Sequence, residues 1–224
     1  TRSSYGVYEM DEVIKADGVY FPGGITKSKN PNWINFEELP EKEQIIGVLQ
    51  KYRIRKVVFG YRMEFPDDLS AQLPIFEGVE EVVLGYSYKG RSRGTCETAA
   101  DYEKILDFFP NLRSLKLCAM PTEISFLKKR KLDMIDLCVD WESDENGSCD
   151  LSVLSDISFA EVSMSTFKEL HVTNLPRNVS IFVHCNDLDE RLFSELSEGV
   201  QIRILIINID KSFLITNDDK KGNR

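Results

Sequence analysis

The residues that could carry catalysis are few, and the two histidines limit the options. Nucleophilic catalysis needs a base beside a serine or cysteine, and His171 and His184 are the only histidines in the chain. His171 and Cys138 fall on consecutive strand motifs described below, but a surface histidine near a thiol is usually incidental. Together with Cys118 they could supply three zinc ligands, although the sequence does not provide the rest of such a site. We therefore predict that the protein is not an enzyme and holds no metal or cofactor.

Charged segments offer two further kinds of chemistry. The acidic run 140–147 has the composition of a calcium loop, but its sixth position is Glu145 where glycine is needed, and its twelfth is Leu151 where glutamate is needed. A solvated run of charges explains it better. The basic loops 89–94 and 128–131 could bind phosphates. The first lacks P-loop spacing, and the second is equally explained by cations at the C-terminus of a helix.

Composition and charge narrow the class of partner. The chain has 28 Lys plus Arg against 37 Asp plus Glu, a formal net charge of −9. A field of that sign repels nucleic acid and anionic lipid unless a basic patch is segregated, so neither is the expected partner. The five cysteines are odd in number and form no C-x-x-C pair, which favours reduced thiols in an intracellular protein of the cytoplasm or nucleus. No stretch approaches about 18 uncharged apolar residues, so we expect no membrane span.

A recurring apolar pattern organises the 224 residues, which fit one elongated domain better than two large ones. The run 56–61 is echoed 25 residues later by 81–86. The wider pattern apolar-x-x-apolar-x-apolar starts six times, at intervals of 25, 33, 20, 35 and 35 residues. A further fit, Leu154/Ile157/Phe159, leaves the exact number of copies open. The six copies are Ile54/Val57/Phe59, Val79/Val82/Leu84, Leu112/Leu115/Leu117, Leu132/Ile135/Leu137, Phe167/Leu170/Val172 and Ile202/Leu205/Ile207.

Helical periodicity precedes three of these motifs, over residues 43–52, 98–109 and 187–196. Pro110 ends the second of these segments, and the apolar period then switches to two. A helix–turn–strand unit of this kind cannot bury its apolar face alone. We therefore predict that the copies stack, with the strands in one parallel sheet and the helices behind it. An ordinary α/β domain is the alternative interpretation.

The motifs Leu112-x-x-Leu115-x-Leu117 and Leu132-x-x-Ile135-x-Leu137 resemble the leucine-rich repeat family, over roughly residues 41–210. The resemblance implies an α/β solenoid with a curved parallel sheet on its concave side and helices on its convex side. The asparagine that normally follows the third apolar position is missing in every copy, so the repeats are irregular. We predict an N-terminal cap over 1–40, an irregular leucine-rich repeat domain over 41–215 and a disordered polar tail over 216–224.

Side chains alternate along each strand, so the pattern also predicts which residues line the concave face. That row is apolar at both ends and charged in the middle, a mixture that suits a protein or peptide partner. The predicted partner-binding residues are Lys56, Val58, Glu81, Val83, Lys116, Met134, Asp136, Glu169, His171 and Ile206.

The sequence therefore favours a non-enzymatic protein-interaction module or adaptor that binds a protein partner through the concave face. One alternative is an RNA-associated factor that uses the basic loops 89–94 and 128–131. A second rests on Leu39-Pro40-Glu41, which leads into a helix and resembles the start of an F-box. That resemblance implies the substrate-recognition part of a ubiquitin ligase.

Overall fold

The computed structural model shows an α/β fold built on a large parallel sheet. In the described part of the chain there are two α-helices, α1 (Lys42–Lys51) and α2 (Ala99–Leu106), and three short 3-10 helices, Leu69–Ala71, Ser125–Lys129 and Ser152–Asp156. None of its helices is long and apolar enough to cross a membrane. The structure describes residues 16, 18–21, 33–60, 63–88, 91–96, 98–118, 123–139, 148–150, 152–164, 171–173, 179–183, 203–207 and 212–216.

The strands of the described residues are β1 (Gly18–Phe21), β2 (Trp33–Asn35), β3 (Lys56–Phe59), β4 (Glu81–Leu84), β5 (Tyr86–Tyr88), β6 (Arg91–Arg93), β7 (Ser114–Cys118), β8 (Met134–Val139), β9 (Ser148–Asp150), β10 (Phe159–Met164), β11 (His171–Thr173), β12 (Val179–Val183), β13 (Arg203–Ile207) and β14 (Ser212–Thr216). They form one ten-stranded sheet, the main sheet, and two small two-stranded sheets. The order in the main sheet is β2-β1-β3-β4-β7-β8-β10-β12-β13-β14, and each neighbouring pair is parallel except β13 and β14. From β3 to β13 the strands of the main sheet follow one another in chain order.

Two rows of in-register apolar residues form the buried face of the main sheet. One row runs Val57, Val82, Leu115, Ile135, Ala160, and the next runs Phe59, Leu84, Leu117, Leu137. Every one of these side chains is almost fully buried. They share one core with apolar residues of both α-helices and of the 3-10 helices, so the helices lie on this face. Four of the six sequence motifs thus mark β3, β4, β7 and β8 correctly.

The fifth motif is misplaced. Val172 lies in β11, which pairs with β9 in a separate two-stranded sheet. The strand that follows β8 in the main sheet is β10, which has the spacing Ile157-x-x-Ala160-x-Val162 and begins this pattern 25 residues after Leu132. A pattern of large apolar residues misses this copy because its middle position is an alanine. The small side chain of Ala160 is fully buried nonetheless.

The two described helices confirm the predicted segments and begin at recognisable caps. Gln44 accepts a hydrogen bond from the backbone N–H of Glu41 at 3.0 Å, the return half of a capping box, and so fixes the start of α1. The hydroxyl of Thr98 accepts from the N–H of Asp101 at the start of α2. The helix that follows Leu39-Pro40-Glu41 is α1, and the next element along the chain is β3 of the main sheet. The third predicted helix, 187–196, lies outside the described residues.

The predicted N-terminal cap contributes β1 and β2 to the main sheet. β1 lies between β2 and β3 and pairs with both in parallel. The cap and the strands that follow it therefore share one sheet, and Val19 and Phe21 extend its buried rows. The boundary of the predicted polar tail falls within β14, which ends at Thr216.

The basic run 128–131 contains a side chain that caps α2. Arg130 is only 14% exposed. Its Nη1 donates to the carbonyl of Leu106 at 3.0 Å, and its Nη2 donates to the carbonyl of Glu103 at 3.3 Å and to the carboxylate of Asp107. The last carbonyls of a helix lack intrahelical partners and carry partial negative charge, so a cation placed there stabilises the helix.

We expect Arg130→Ala to lower the free energy of unfolding by about 2 kcal/mol, because it removes three charge-assisted hydrogen bonds at the end of α2. Urea unfolding followed by circular dichroism measures the change. The exposed Lys128, in the same run, is the matched control, and its alanine variant is expected to stay within about 0.5 kcal/mol of wild type. Equal effects of the two substitutions would contradict a capping role.

Candidate functional site

The open face of the main sheet is the candidate site. We use this name for the face opposite the two buried rows, over β2, β1, β3, β4, β7 and β8. Because side chains alternate along a strand, residues between buried positions belong to this face. Its members are Trp33, Asn35, Tyr20, Lys56, Val58, Glu81, Val83, Ser114, Lys116, Met134 and Asp136.

Register aligns the open face in two rows that cross the strands. The first row runs Lys56, Glu81, Ser114, Met134, and the second runs Tyr20, Val58, Val83, Lys116, Asp136. Neighbouring strands lie about 4.8 Å apart, so each row presents closely spaced side chains. The residues of the second row are all half-buried, and Met134 is 43% exposed. The face is therefore open to solvent along both rows.

Two ion pairs bridge neighbouring strands on the open face. Lys56 contacts Glu81 between β3 and β4, and Lys116 contacts Asp136 between β7 and β8 at 3.2 Å. The side chains of the second pair are 38% and 27% exposed. Ion pairs at this level of exposure contribute little to stability, about 0–1 kcal/mol. They do determine the charge pattern of the surface, because each cation lies beside a carboxylate that balances it.

At the edge of the open face, the ring of an aromatic residue packs over a glycine. Trp33 of β2 is in register with Gly18 of β1. A Cβ atom added to Gly18 would lie 2.8 Å from the Trp33 ring and 2.7 Å from the carbonyl oxygen of Lys56. The indole ring therefore occupies the space that a side chain at position 18 would fill, beside the Lys56–Glu81 pair. Tyr20 lies on the same face two residues farther along β1.

Sequence reasoning missed Trp33 and Tyr20, because a cap over residues 1–40 implies a core separate from the sheet. A usable signal is present in the alternation of Gly18-Val19-Tyr20-Phe21, in which Val19 and Phe21 are buried and Tyr20 is not. The short run Trp33-Ile34-Asn35 repeats this alternation, and Ile34 packs against the core.

The structure brings together seven of the ten predicted partner-binding residues, places two elsewhere and does not describe the tenth. His171 is in β11, outside the main sheet. Ile206 of β13 is in register with Val183 of β12. The β12 position in line with Lys116 and Asp136 lies three residues before Val183. Ile206 therefore does not lie in the row of Lys116 and Asp136, and its predicted place there is wrong. Glu169 lies outside the described residues. The seven are Lys56, Val58, Glu81, Val83, Lys116, Met134 and Asp136.

The carboxyl end of β3 is hydrogen-bonded by the chain that leads to α2. Thr95 is 1% exposed, and its hydroxyl donates to the carbonyl oxygen of Gly60 at 2.7 Å. The glycine that follows β4, Gly85, has a φ of 104°, a conformation that side chains disfavour.

The surroundings of the described thiols indicate a structural role. Cys118 and Cys138 are in register on β7 and β8. Cys118 is buried, and burial raises the pKa of Cys96 to about 12. The N–H of Cys96 donates to the hydroxyl oxygen of the fully buried Tyr102 at 3.4 Å. A thiol with so high a pKa is protonated at neutral pH, and the thiolate is the nucleophile, so Cys96 is a poor one.

The remaining candidate chemistry is only partly covered by the described residues. Within them, no group of three or more His, Cys, Asp or Glu side chains could hold a metal ion. His184 and the acidic run 140–147 lie outside the described residues. Comparison with protein-family models, curated proteins and solved structures finds no match to this chain.

Proposed function

We propose that the protein is a non-enzymatic interaction module that binds a protein partner through the open face. The observation that carries the proposal is the grouping of Trp33 and Tyr20 with two valines and two cross-strand ion pairs on one half-exposed sheet face. Tryptophan and tyrosine are enriched among the residues that dominate binding energy, since they bury a large area with few rotatable bonds. Val58 and Val83 continue the apolar surface from Tyr20 toward Lys116.

The two ion pairs support recognition of a specific partner. Interfaces commonly surround an apolar centre with a polar rim, and complementary charges at the rim select the partner and its orientation. Lys56–Glu81 and Lys116–Asp136 flank the valines in this way. Because each pair places opposite charges side by side, the partner must match a pattern of alternating signs.

We further propose that the architecture is an irregular leucine-rich-repeat-like solenoid. Support comes from the chain-order succession of strands from β3 to β13 and from the rows of equivalent apolar residues. The spacing Ile157-x-x-Ala160-x-Val162 adds a copy 25 residues after the one at Leu132. Solenoids commonly use such an extended sheet face as a binding surface, which agrees with the proposed role of the open face.

A charge swap tests the function without changing net charge. In Lys116→Asp/Asp136→Lys the ion pair is retained in reverse, and the charge pattern presented to a partner is inverted. We expect the affinity for a partner isolated by crosslinking to wild type to fall at least about tenfold, since each mismatched charge pair at an interface costs on the order of 1–2 kcal/mol. Biolayer interferometry with the purified partner measures the change.

The matched control is the same swap at Arg113 and Asp133. These residues form an ion pair immediately before the same two strands, with side chains 64% and 54% exposed. The control swap is expected to leave affinity within about twofold of wild type. A partner that binds both swapped proteins as tightly as wild type would contradict binding through the open face, as would the absence of any partner.

A further inference from the structure

The hairpin formed by β5 and β6 carries an unusual register of tyrosines and arginines. Its antiparallel pairs are Tyr86 with Arg93, Ser87 with Ser92 and Tyr88 with Arg91. Residues paired across antiparallel strands belong to the same face, and alternate pairs belong to opposite faces. Two Tyr–Arg pairs therefore share one face of the hairpin, and the serine pair belongs to the other.

The hairpin segment is positively charged, whereas the chain as a whole is negatively charged. Between Tyr86 and Cys96 the sequence contains Lys89, Arg91 and Arg93 and no acidic residue, in a chain whose formal net charge is −9. Binding of a polyanion by an acidic protein requires a segregated basic patch of this kind. The segment follows the carboxyl end of β4 and contains none of the residues of the open face.

The second basic run, 128–131, contacts α2. Lys129 contacts the carboxylate of Glu103, and Arg130 contacts Asp107 while it caps α2. Half of the cations in 128–131 are therefore engaged by α2. No aromatic residue interrupts this run. We therefore expect the two basic segments to differ in their affinity for a nucleic acid, although they carry similar charge.

We propose that the β5–β6 hairpin binds single-stranded nucleic acid, with bases stacked on Tyr86 and Tyr88 and phosphates contacted by Arg91 and Arg93. Proteins that bind single strands combine a basic track along the backbone with aromatic residues on which bases stack. Tyrosines paired with arginines on one face supply both parts. A duplex keeps its bases stacked inside, so the tyrosines favour a single strand over a duplex or a simple polyanion.

The test measures binding of the full chain to a fluorescein-labelled single-stranded RNA or DNA of about 12 nucleotides by fluorescence anisotropy, from about 50 to 200 mM salt. The variant Arg91→Ser/Arg93→Ser is expected to reduce the slope of log affinity against log salt by about 1.4, from two lost phosphate contacts at about 0.7 each. Tyr86→Ser/Tyr88→Ser is expected to weaken binding about tenfold or more with an unchanged slope, because stacking releases no counterions.

The matched control is Lys128→Ser/Lys131→Ser, which removes the same number of positive charges and is expected to change affinity less than about twofold. Thermal unfolding of each variant establishes that the fold is retained. An equal loss of affinity in the control would overturn the proposal, because binding would then follow total charge. Duplex DNA or polyphosphate competing as well as a single strand would overturn it too, as would no binding at the lowest salt. None of these results bears on the protein-binding role of the open face.

Discussion

Phe59→Ala is expected to cost about 3–5 kcal/mol of the free energy of unfolding, more than the substitutions at Arg130 and Gly18. Phe59 is fully buried and lies at the centre of an aromatic cluster. Its ring stacks on Phe21 at 5.1 Å between centroids and meets Phe65 and Phe109 edge-on at 5.9 and 6.1 Å. These contacts join β1 and β3 of the sheet to the connecting segments packed against it. Truncation leaves a cavity that all three neighbours border.

Chemical denaturation of the variant measures this cost, with Ile75→Ala as the control. Ile75 is also a large apolar residue, but it is 52% exposed and lies in the connection between β3 and β4. Its truncation is expected to change stability by less than about 1 kcal/mol, since more than half of its surface stays in water on folding. Similar losses for the two variants would mean that Phe59 is not at the centre of the core.

Gly18→Ala is expected to destabilise the protein by about 2–3 kcal/mol, the opposite of what strand propensity predicts for this change. The new Cβ would lie 2.7 Å from the backbone oxygen of Lys56, which a side-chain rotation cannot relieve. It would also displace the Trp33 ring, 2.8 Å away. β1 therefore has to move away from β3, and Trp33 has to leave its position on the open face. Both outcomes are expected to weaken partner binding in addition to stability.

Gly47→Ala provides the control with the opposite sign. Gly47 lies inside α1, and a Cβ added there meets nothing within 4 Å. Alanine at an open helical position is expected to raise stability by about 0.5–1 kcal/mol. Thermal and urea unfolding of the two variants should therefore move in opposite directions. Stabilisation by Gly18→Ala would contradict the close approach of Trp33 and β3 to position 18.

The sequence predicted most of the central strands because their apolar spacing is set by local alternation. Ile54, Val57 and Phe59 must all reach the core, and the same geometry recurs at Leu112, Leu115 and Leu117. The helices were equally readable, since Thr98 is a strong N-cap and the apolar stripe of α2 follows it. Their ends differed by up to three residues, because α2 ends at Leu106 and its last turn relaxes before Pro110.

The misplaced elements are those that depend on pairing between distant segments. His171-Val172-Thr173 has the local pattern of a strand, yet the pattern does not say which strand it joins, and it pairs with Ser148–Asp150. The role of Trp33 was hidden for a similar reason. Its position on the open face follows from the placement of β2 beside β1 and from the missing side chain at Gly18, neither of which periodicity encodes. The guanidinium of Arg130 likewise donates to carbonyls at the end of α2, and one of them, that of Leu106, is 24 residues earlier in the sequence.

The most direct test of the open-face interaction is site-specific photocrosslinking in cells that contain the natural partner. The photoreactive residue p-benzoylphenylalanine is placed at Val83, at the centre of the open face, or at Ile75, exposed on the connection between β3 and β4. We predict one discrete protein adduct from position 83, none from position 75, and loss of the adduct in the Lys116→Asp/Asp136→Lys background. Adduct formation from position 75 alone, or an adduct from position 83 that survives the charge swap unchanged, would contradict binding through the open face.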